Sequence, residues 1–152
     1  MKENLKNHLR DLNSNMTQVI DTNKYIEFVR QTTSPVSSDF AALLTRLTEL
    51  EASTDADVPR LMTAALGISA EAGEFTEVIK KIFLQGKSYN EDNVFHLKRE
   101  LGDICWYIAQ ACMALDTTFE EVLQMNYEKL SARYPEGTFD VWKSENRVDG
   151  DI

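Results

Sequence analysis

Apolar residues recur along this chain at intervals of three and four and nowhere alternate in the period-two manner of a strand, so the pattern predicts an all-α protein. A short amphipathic helix over residues 23–31 carries Tyr25, Ile26, Phe28 and Val29 and stops at "TTSPVSS", where Pro35 disfavours continuation. Helical spacing resumes over 39–53, with Asp39 as N-cap and Phe40, Leu43, Leu44, Leu47 and Leu50 on one side. After the break "STDADVP" a long helix is predicted from about 58 to 84, closed by Gly86, and the next from about 91 to 115. Thr118 and Glu121 have the spacing of a capping box at the head of a further helix, which "YPEG" ends. Short connections between the long segments favour antiparallel neighbours, hence a helical bundle with four core helices. The chain divides into a polar N-terminal arm (1–22), a helical domain (23–137) and a C-terminal tail (138–152), whose Phe139, Val141 and Trp142 suffice to dock but not to fold alone.

Two helices break the pattern they otherwise follow. In the first, Ala64, Gly67, Ile68, Phe75, Val78 and Ile82 form one stripe at roughly 100° per residue, and Glu71 projects from its centre with Glu74 beside it. In the second, Leu97, Leu101, Ile104, Ile108, Ala111 and Leu115 form the stripe, and Glu100, Asp103 and Tyr107 line its flank. A carboxylate on a core-facing stripe costs several kcal/mol unless it is paired or metal-bound.

Composition narrows what could relieve that cost. With 25 acidic against 16 basic residues the net charge is −9, and no Lys/Arg-rich run stands out, which argues against a duplex-binding surface. The start "MKENLKNHLRDLNSNM" lacks the apolar run of a signal peptide, and no stretch of about 18 apolar residues exists to cross a bilayer, so a soluble, cytoplasmic protein is expected. Cys105 and Cys112, seven apart on one predicted helix, suit neither a zinc site nor a local disulfide and read as small core residues.

If the two acid-bearing helices pack antiparallel, Glu71, Glu74, Glu100 and Asp103 can converge. Four carboxylates together repel one another, and a hard divalent cation such as Mg²⁺ or Mn²⁺, which takes oxygen ligands, removes the conflict. His8 and His96 are read as distant from either pair, so a histidine-bearing di-iron motif is not expected. One Glu-x-x-Glu pair on a helix is most often a solvated face; the doubled pair, with one glutamate at a stripe's centre, favours a metal. Further on, Asn126, Lys129 and Arg133 stand at i, i+3 and i+7, a set that suits phosphate oxygens, its alternative being a solvated face with surface ion pairs. Lys80 and Lys81 read as surface residues rather than phosphate ligands, and Trp106 as a buried or interface residue.

Taken together, Glu71-x-x-Glu74, then 25 residues, then Glu100-x-x-Asp103, followed by Tyr107 and Asn126-x-x-Lys129-x-x-x-Arg133-Tyr134, resemble the MazG-like, all-α nucleoside triphosphate pyrophosphohydrolases. The resemblance runs from about residue 61 to 137, half of the chain, and the tail "FDVWKSENR" is similar to the end of compact, single-domain members, including phage-encoded ones, for which the host cytoplasm is the expected compartment. It implies a symmetric homodimer or a homotetramer built as a dimer of dimers, and Mg²⁺-dependent cleavage, with Mn²⁺ as a substitute, of an NTP or dNTP to the monophosphate and pyrophosphate. Glu71, Glu74, Glu100 and Asp103 would hold the metal and Lys129 and Arg133 the phosphates. Asn126 would place sugar or phosphate, and Tyr107 would lie against the nucleoside, a role balanced by that of a core-edge tyrosine. An alarmone as substrate and a non-catalytic helical module are the alternatives.

Overall fold

The computed structural model describes residues 21–146. The expected arm lies outside the described residues except for Asp21 and Thr22, as do residues 147–152 of the tail. Among the described residues there are seven helices and no strand: α1 (Thr22–Thr32), α2 (Pro35–Ser38), α3 (Phe40–Ser53), α4 (Val58–Leu84), α5 (Glu91–Ala114), α6 (Phe119–Arg133) and α7 (Val141–Glu145). They fall into two compact units, the first ending at Thr48 and the second beginning at Glu49.

In the first unit the helix starts follow from local chemistry. The Asp21 carboxylate accepts from the backbone N–H groups of Asn23 and Lys24 at 3.0 and 3.3 Å, so the last two residues assigned to the arm instead begin α1. Pro35 opens α2, where its missing N–H costs nothing. Asp39 accepts from Ala42 N–H at 2.7 Å and caps α3, as its position predicts. The apolar side of α1, with Tyr25, Ile26, Phe28 and Val29, is exposed.

The second unit is organised by α4 and α5, which pack closely against each other, while α6 rests more sparsely on α5. Asp57 caps α4 by accepting from Arg60 N–H at 3.1 Å, and Pro59 sits in the first turn. At the other end Gly86 adopts φ +74°, which lets the Lys87 N–H reach the Lys81 carbonyl at 3.0 Å. Asn90 caps α5 through Asn93 N–H, and at its far end Asp116 takes the left-handed turn at φ 50°, a conformation that aspartate tolerates better than most residues. The capping box of α6 is present: Thr118 Oγ1 accepts from Glu121 N–H at 3.1 Å, and Glu121 accepts in return from Thr118 N–H at 2.8 Å.

Small residues let the two long helices approach. Ala64, Gly67 and Val78 on α4 and Cys112 and Ala114 on α5 are buried. At Gly67 a Cβ would fall 2.1 Å from Tyr107 Cε1, so the aromatic ring lies directly on the glycine. Near the hairpin's open end Arg60 bridges the helices, with Nε on Asp57 at 2.9 Å and Nη1 donating to Gln110 Oε1 at 2.9 Å. The pairs Arg60 with Gln110 and Gly67 with Tyr107 fix one antiparallel register, and that register sets Glu71 opposite Glu100.

This register differs from the stripe expected for α5. Leu101 and Leu115, assigned to the buried stripe, are 49% and 62% exposed, whereas Glu100 and Tyr107, assigned to its flank, face α4. The helix is rotated because its apolar residues surround more than one face, and the close fit of Tyr107 on Gly67 selects the side that meets α4. Cys105, read as a core residue, is exposed; Cys112 is buried. In the tail, Asp140 caps the short α7, Phe139 lies 5.8 Å from the ring of Tyr134, and Lys143 bonds Glu136, while Val141 and Trp142 stay exposed.

The Gly67 contact predicts that Gly67→Ala destabilises the fold by about 1–3 kcal/mol in denaturant unfolding. Because the cost lies in one ring, it should shrink when Tyr107 is also changed to Leu, giving a non-additive double-mutant cycle. Additive effects would place the glycine's importance elsewhere.

Candidate functional site

Three of the four predicted acids meet. Glu71 and Glu74 on α4 and Glu100 on α5 each place a carboxylate oxygen within 4.8 Å of the others. The i, i+3 spacing on α4 sets the first two on neighbouring sides of one turn, and the antiparallel register supplies the third. Asp103 is not one of that set, although its charge acts on Glu71. Burial is graded: Glu100 is 6% exposed, Glu71 half-buried, and Glu74 and Asp103 exposed. The group therefore has a floor at Glu100 and a mouth toward Glu74 and Asp103.

Its electrostatics are strained in the way like charges dictate. Burial first, and then the negative charge of Glu74, Asp103 and Glu100, push the Glu71 carboxyl above the ordinary carboxylate range, and a hydrogen bond with the Glu100 side chain acts in the same direction. The oxygens suit a hard divalent ion. Mg²⁺ and Mn²⁺ take carboxylate oxygens as ligands, and one oxygen from each of the three side chains lies within 4.8 Å of the others. The donor set thus fits a divalent cation held by Glu71, Glu74 and Glu100.

One residue was misjudged from sequence. His96, read as distant from both acid pairs, has its Nε2 2.8 Å from Glu100 Oε1, one turn earlier on the same helix. The i, i+4 spacing of His96 and Glu100, which sets two side chains on one helix face, carries that signal in the sequence. The two residues form an i, i+4 pair at ion-pair distance, a spacing other than the Glu-x-x-His of a di-iron bundle. Lys80 and Lys81 pair with Glu77 at 3.9 and 3.1 Å, which accounts for them as surface residues and, through the Lys81 hydrogen bond first, lowers the Glu77 carboxyl.

The remaining predicted residues stand apart from this group in different ways. The Tyr107 ring covers Gly67 and meets Trp106 edge-on at 4.9 Å, the geometry of a core-edge tyrosine. Trp106 itself is 55% exposed. Asn126, Lys129 and Arg133 share α6. Asn126 lines an open cavity of about 370 Å³ with Tyr127, Leu130, Tyr134 and Phe139, and none of the four acids borders it. Lys129 is exposed, and the half-buried Arg133 guanidinium lies 6.0 Å from the Tyr134 ring centre.

A family model described as the MazG nucleotide pyrophosphohydrolase domain matches residues 61–138, a span that includes every candidate residue. Over 79 residues the chain is 38% identical to the Gene 37 protein of Mycobacterium phage L5, an alignment covering 51% of this chain and 68% of that relative. No solved structure matches it. Among the described residues no helix is long and apolar enough to cross a membrane.

The raised Glu71 carboxyl has a definite thermodynamic sign. A group whose folded-state pKa lies above its unfolded value adds stability below the unfolded value, and that contribution is lost as pH rises through the folded one. Without metal, Glu71→Gln should therefore melt at a higher temperature than the wild type at about pH 7, and the difference should vanish as pH falls through the carboxylate range. Added Mn²⁺ should reverse the order, since the wild type has the ligand that the variant lacks. Equal melting curves at both pH values would mean that the carboxylates do not repel one another in solution.

Proposed function

The chain belongs to the MazG nucleotide pyrophosphohydrolase family, and from that premise we propose that it hydrolyses a nucleoside or deoxynucleoside triphosphate to the monophosphate and pyrophosphate with Mg²⁺. The observation that carries the reading is the convergence of Glu71, Glu74 and Glu100 within 4.8 Å inside the family-matched segment. Glu71, Glu74 and Glu100 hold the cation, with Asp103 at the mouth as a fourth carboxylate. When bound, the divalent ion supplies charge neutralisation and lowers the pKa of water, and Mn²⁺ replaces it in the same oxygen set. A carboxylate of the group takes the proton from the attacking water. Lys129 and Arg133 neutralise charge on the departing phosphates, Arg133 through its two-pronged guanidinium, and Asn126 places the sugar or a phosphate. In this reading Tyr107 borders the nucleoside while it also covers Gly67. The host cytoplasm, where the nucleotide pool lies, is the compartment this activity requires, and neither nucleic acid nor membrane is a partner.

The reading includes a symmetric oligomer, a homodimer or a dimer of dimers. The support is apolar surface left uncovered on a single chain: Leu66, Phe83, Leu84, Phe95, Trp106 and Leu115 are all more than half exposed, with Leu84 at 80%. Closed symmetry buries such faces without leaving a free edge. Sedimentation should show a dimer or tetramer at micromolar concentration; a fully active monomer would contradict this.

The reaction itself is tested by the fate of the solvent oxygen. Hydrolysis in ¹⁸O-labelled water with Mg²⁺ should give labelled nucleoside monophosphate and unlabelled pyrophosphate, the signature of attack at the α-phosphorus. Labelled inorganic phosphate with a diphosphate product would leave the site and change the reaction. No release of pyrophosphate from any nucleotide would remove the enzymatic reading altogether.

A further inference from the structure

Glu100 is the one buried charged residue among those described, and its surroundings make it hard to hold still. Glu71 across the hairpin offers a second carboxyl rather than a cation, and the basic group within ion-pair distance of Glu100 is His96, whose Nε2 lies 2.8 Å from Oε1. Lys98 and Arg99, although adjacent in sequence, are exposed. The His96 side chain is 46% exposed while that of Glu100 is 7% exposed, so the imidazole closes the solvent-facing side of the contact.

We propose that His96 is a positioning residue for Glu100: with Nε2 already 2.8 Å from Oε1, a turn of the half-exposed ring brings Nε2–H into line with that oxygen, which fixes the plane of the buried carboxylate and so presents its remaining lone pairs to the cation shared with Glu71 and Glu74. The proposal rests on the metal reading above. It needs no change of charge on the imidazole, since Nε2–H is a donor in the neutral Nε2–H tautomer and in the imidazolium alike. A glutamate whose three side-chain torsions are unrestrained loses affinity for a cation through disorder. A single donor on one oxygen removes most of that freedom, the same logic by which outer partners tune metal sites generally.

The atom that makes the contact gives a specific test. A glutamine amide nitrogen reaches about as far as Nε2, whereas an asparagine amide nitrogen mimics Nδ1 and falls short. Mn²⁺ binding to the full chain, followed by the loss of the free-ion EPR signal without nucleotide, should weaken about 10–100-fold in His96→Phe and His96→Asn and stay close to wild type in His96→Gln. Circular dichroism and melting without metal show that each variant is folded, which is expected of a half-exposed site. Long-range ¹⁵N NMR of the metal-free wild type should show His96 protonated at Nε2. Wild-type affinity or tighter binding in His96→Phe, or no rescue by Gln, would overturn the positioning role while leaving the metal site intact. A wild type that does not bind Mn²⁺ would overturn the metal reading and this proposal with it.

Discussion

The opposition of Glu71 and Glu100 across the α4/α5 hairpin is the constraint on which the site depends. Two carboxylates facing each other, one of them buried, destabilise any helix pair unless something offsets them. The fold tolerates the pair because other contacts fix the hairpin between it and the open end. Tyr107 lies on Gly67 one turn before Glu71 along α4, and further along Arg60 joins Asp57 to Gln110. Apolar packing and a neutral-to-cation hydrogen bond thus set the register, and the acids accept the geometry that results. A site built this way is destabilising when empty, so ligand binding and folding stability are coupled through it.

The gradation of burial gives that coupling a direction. His96 and Glu71 contact the floor at Glu100, and Glu74 and Asp103 stand in water. In the proposed site an ion entering from solvent would meet the exposed carboxylates first, and only the last stage of binding would engage the desolvated one. Desolvation at the floor strengthens the final ionic contact, because water screens it least there. Solvated acids at the mouth keep the approach inexpensive.

How much of this was legible in the sequence depends on the range of the interaction concerned. Helix starts and stops were readable because they are decided within a turn: Asp39, the Thr118 and Glu121 box and Gly86 each act on groups three to six residues away. Glu71 was readable as an anomaly because α4 has one apolar stripe, which makes an acid at its centre conspicuous. The facing side of α5 was not. Leu101 and Leu115 lie at one edge of its apolar arc, Ile104, Tyr107 and Ala111 toward the other, and Trp106 nearly opposite Leu115, so periodicity alone cannot say which side meets α4. That choice is made by the fit of a ring on a glycine forty residues away in sequence. Asn126, Lys129 and Arg133 were legible as a shared face, but their relation to the acids is a matter of tertiary and quaternary packing, on which helical spacing is silent.

Charge balance carries the argument one step further. Glu71, Glu74 and Glu100, when ionised, hold up to three negative charges, and one divalent ion leaves that group net negative. The triphosphate of the proposed reaction would bring further negative charge to the same place, and the chain as a whole, at −9, supplies no favourable background field. Affinity for such a ligand must therefore come from cations that the α4/α5 hairpin does not itself place beside the acids: Lys80 and Lys81 are engaged with Glu77, and Arg60 with Asp57 and Gln110. The proposed reaction would assign that requirement to α6, where the exposed Lys129 lies one turn before Arg133, or to additional metal ions. A substrate that bridges the two would itself complete the attachment of α6 to the hairpin, on which that helix otherwise rests only sparsely. Binding energy from the phosphates would then be used to assemble the site rather than merely to fill it, so that the reactive arrangement forms only around a ligand long enough to span both.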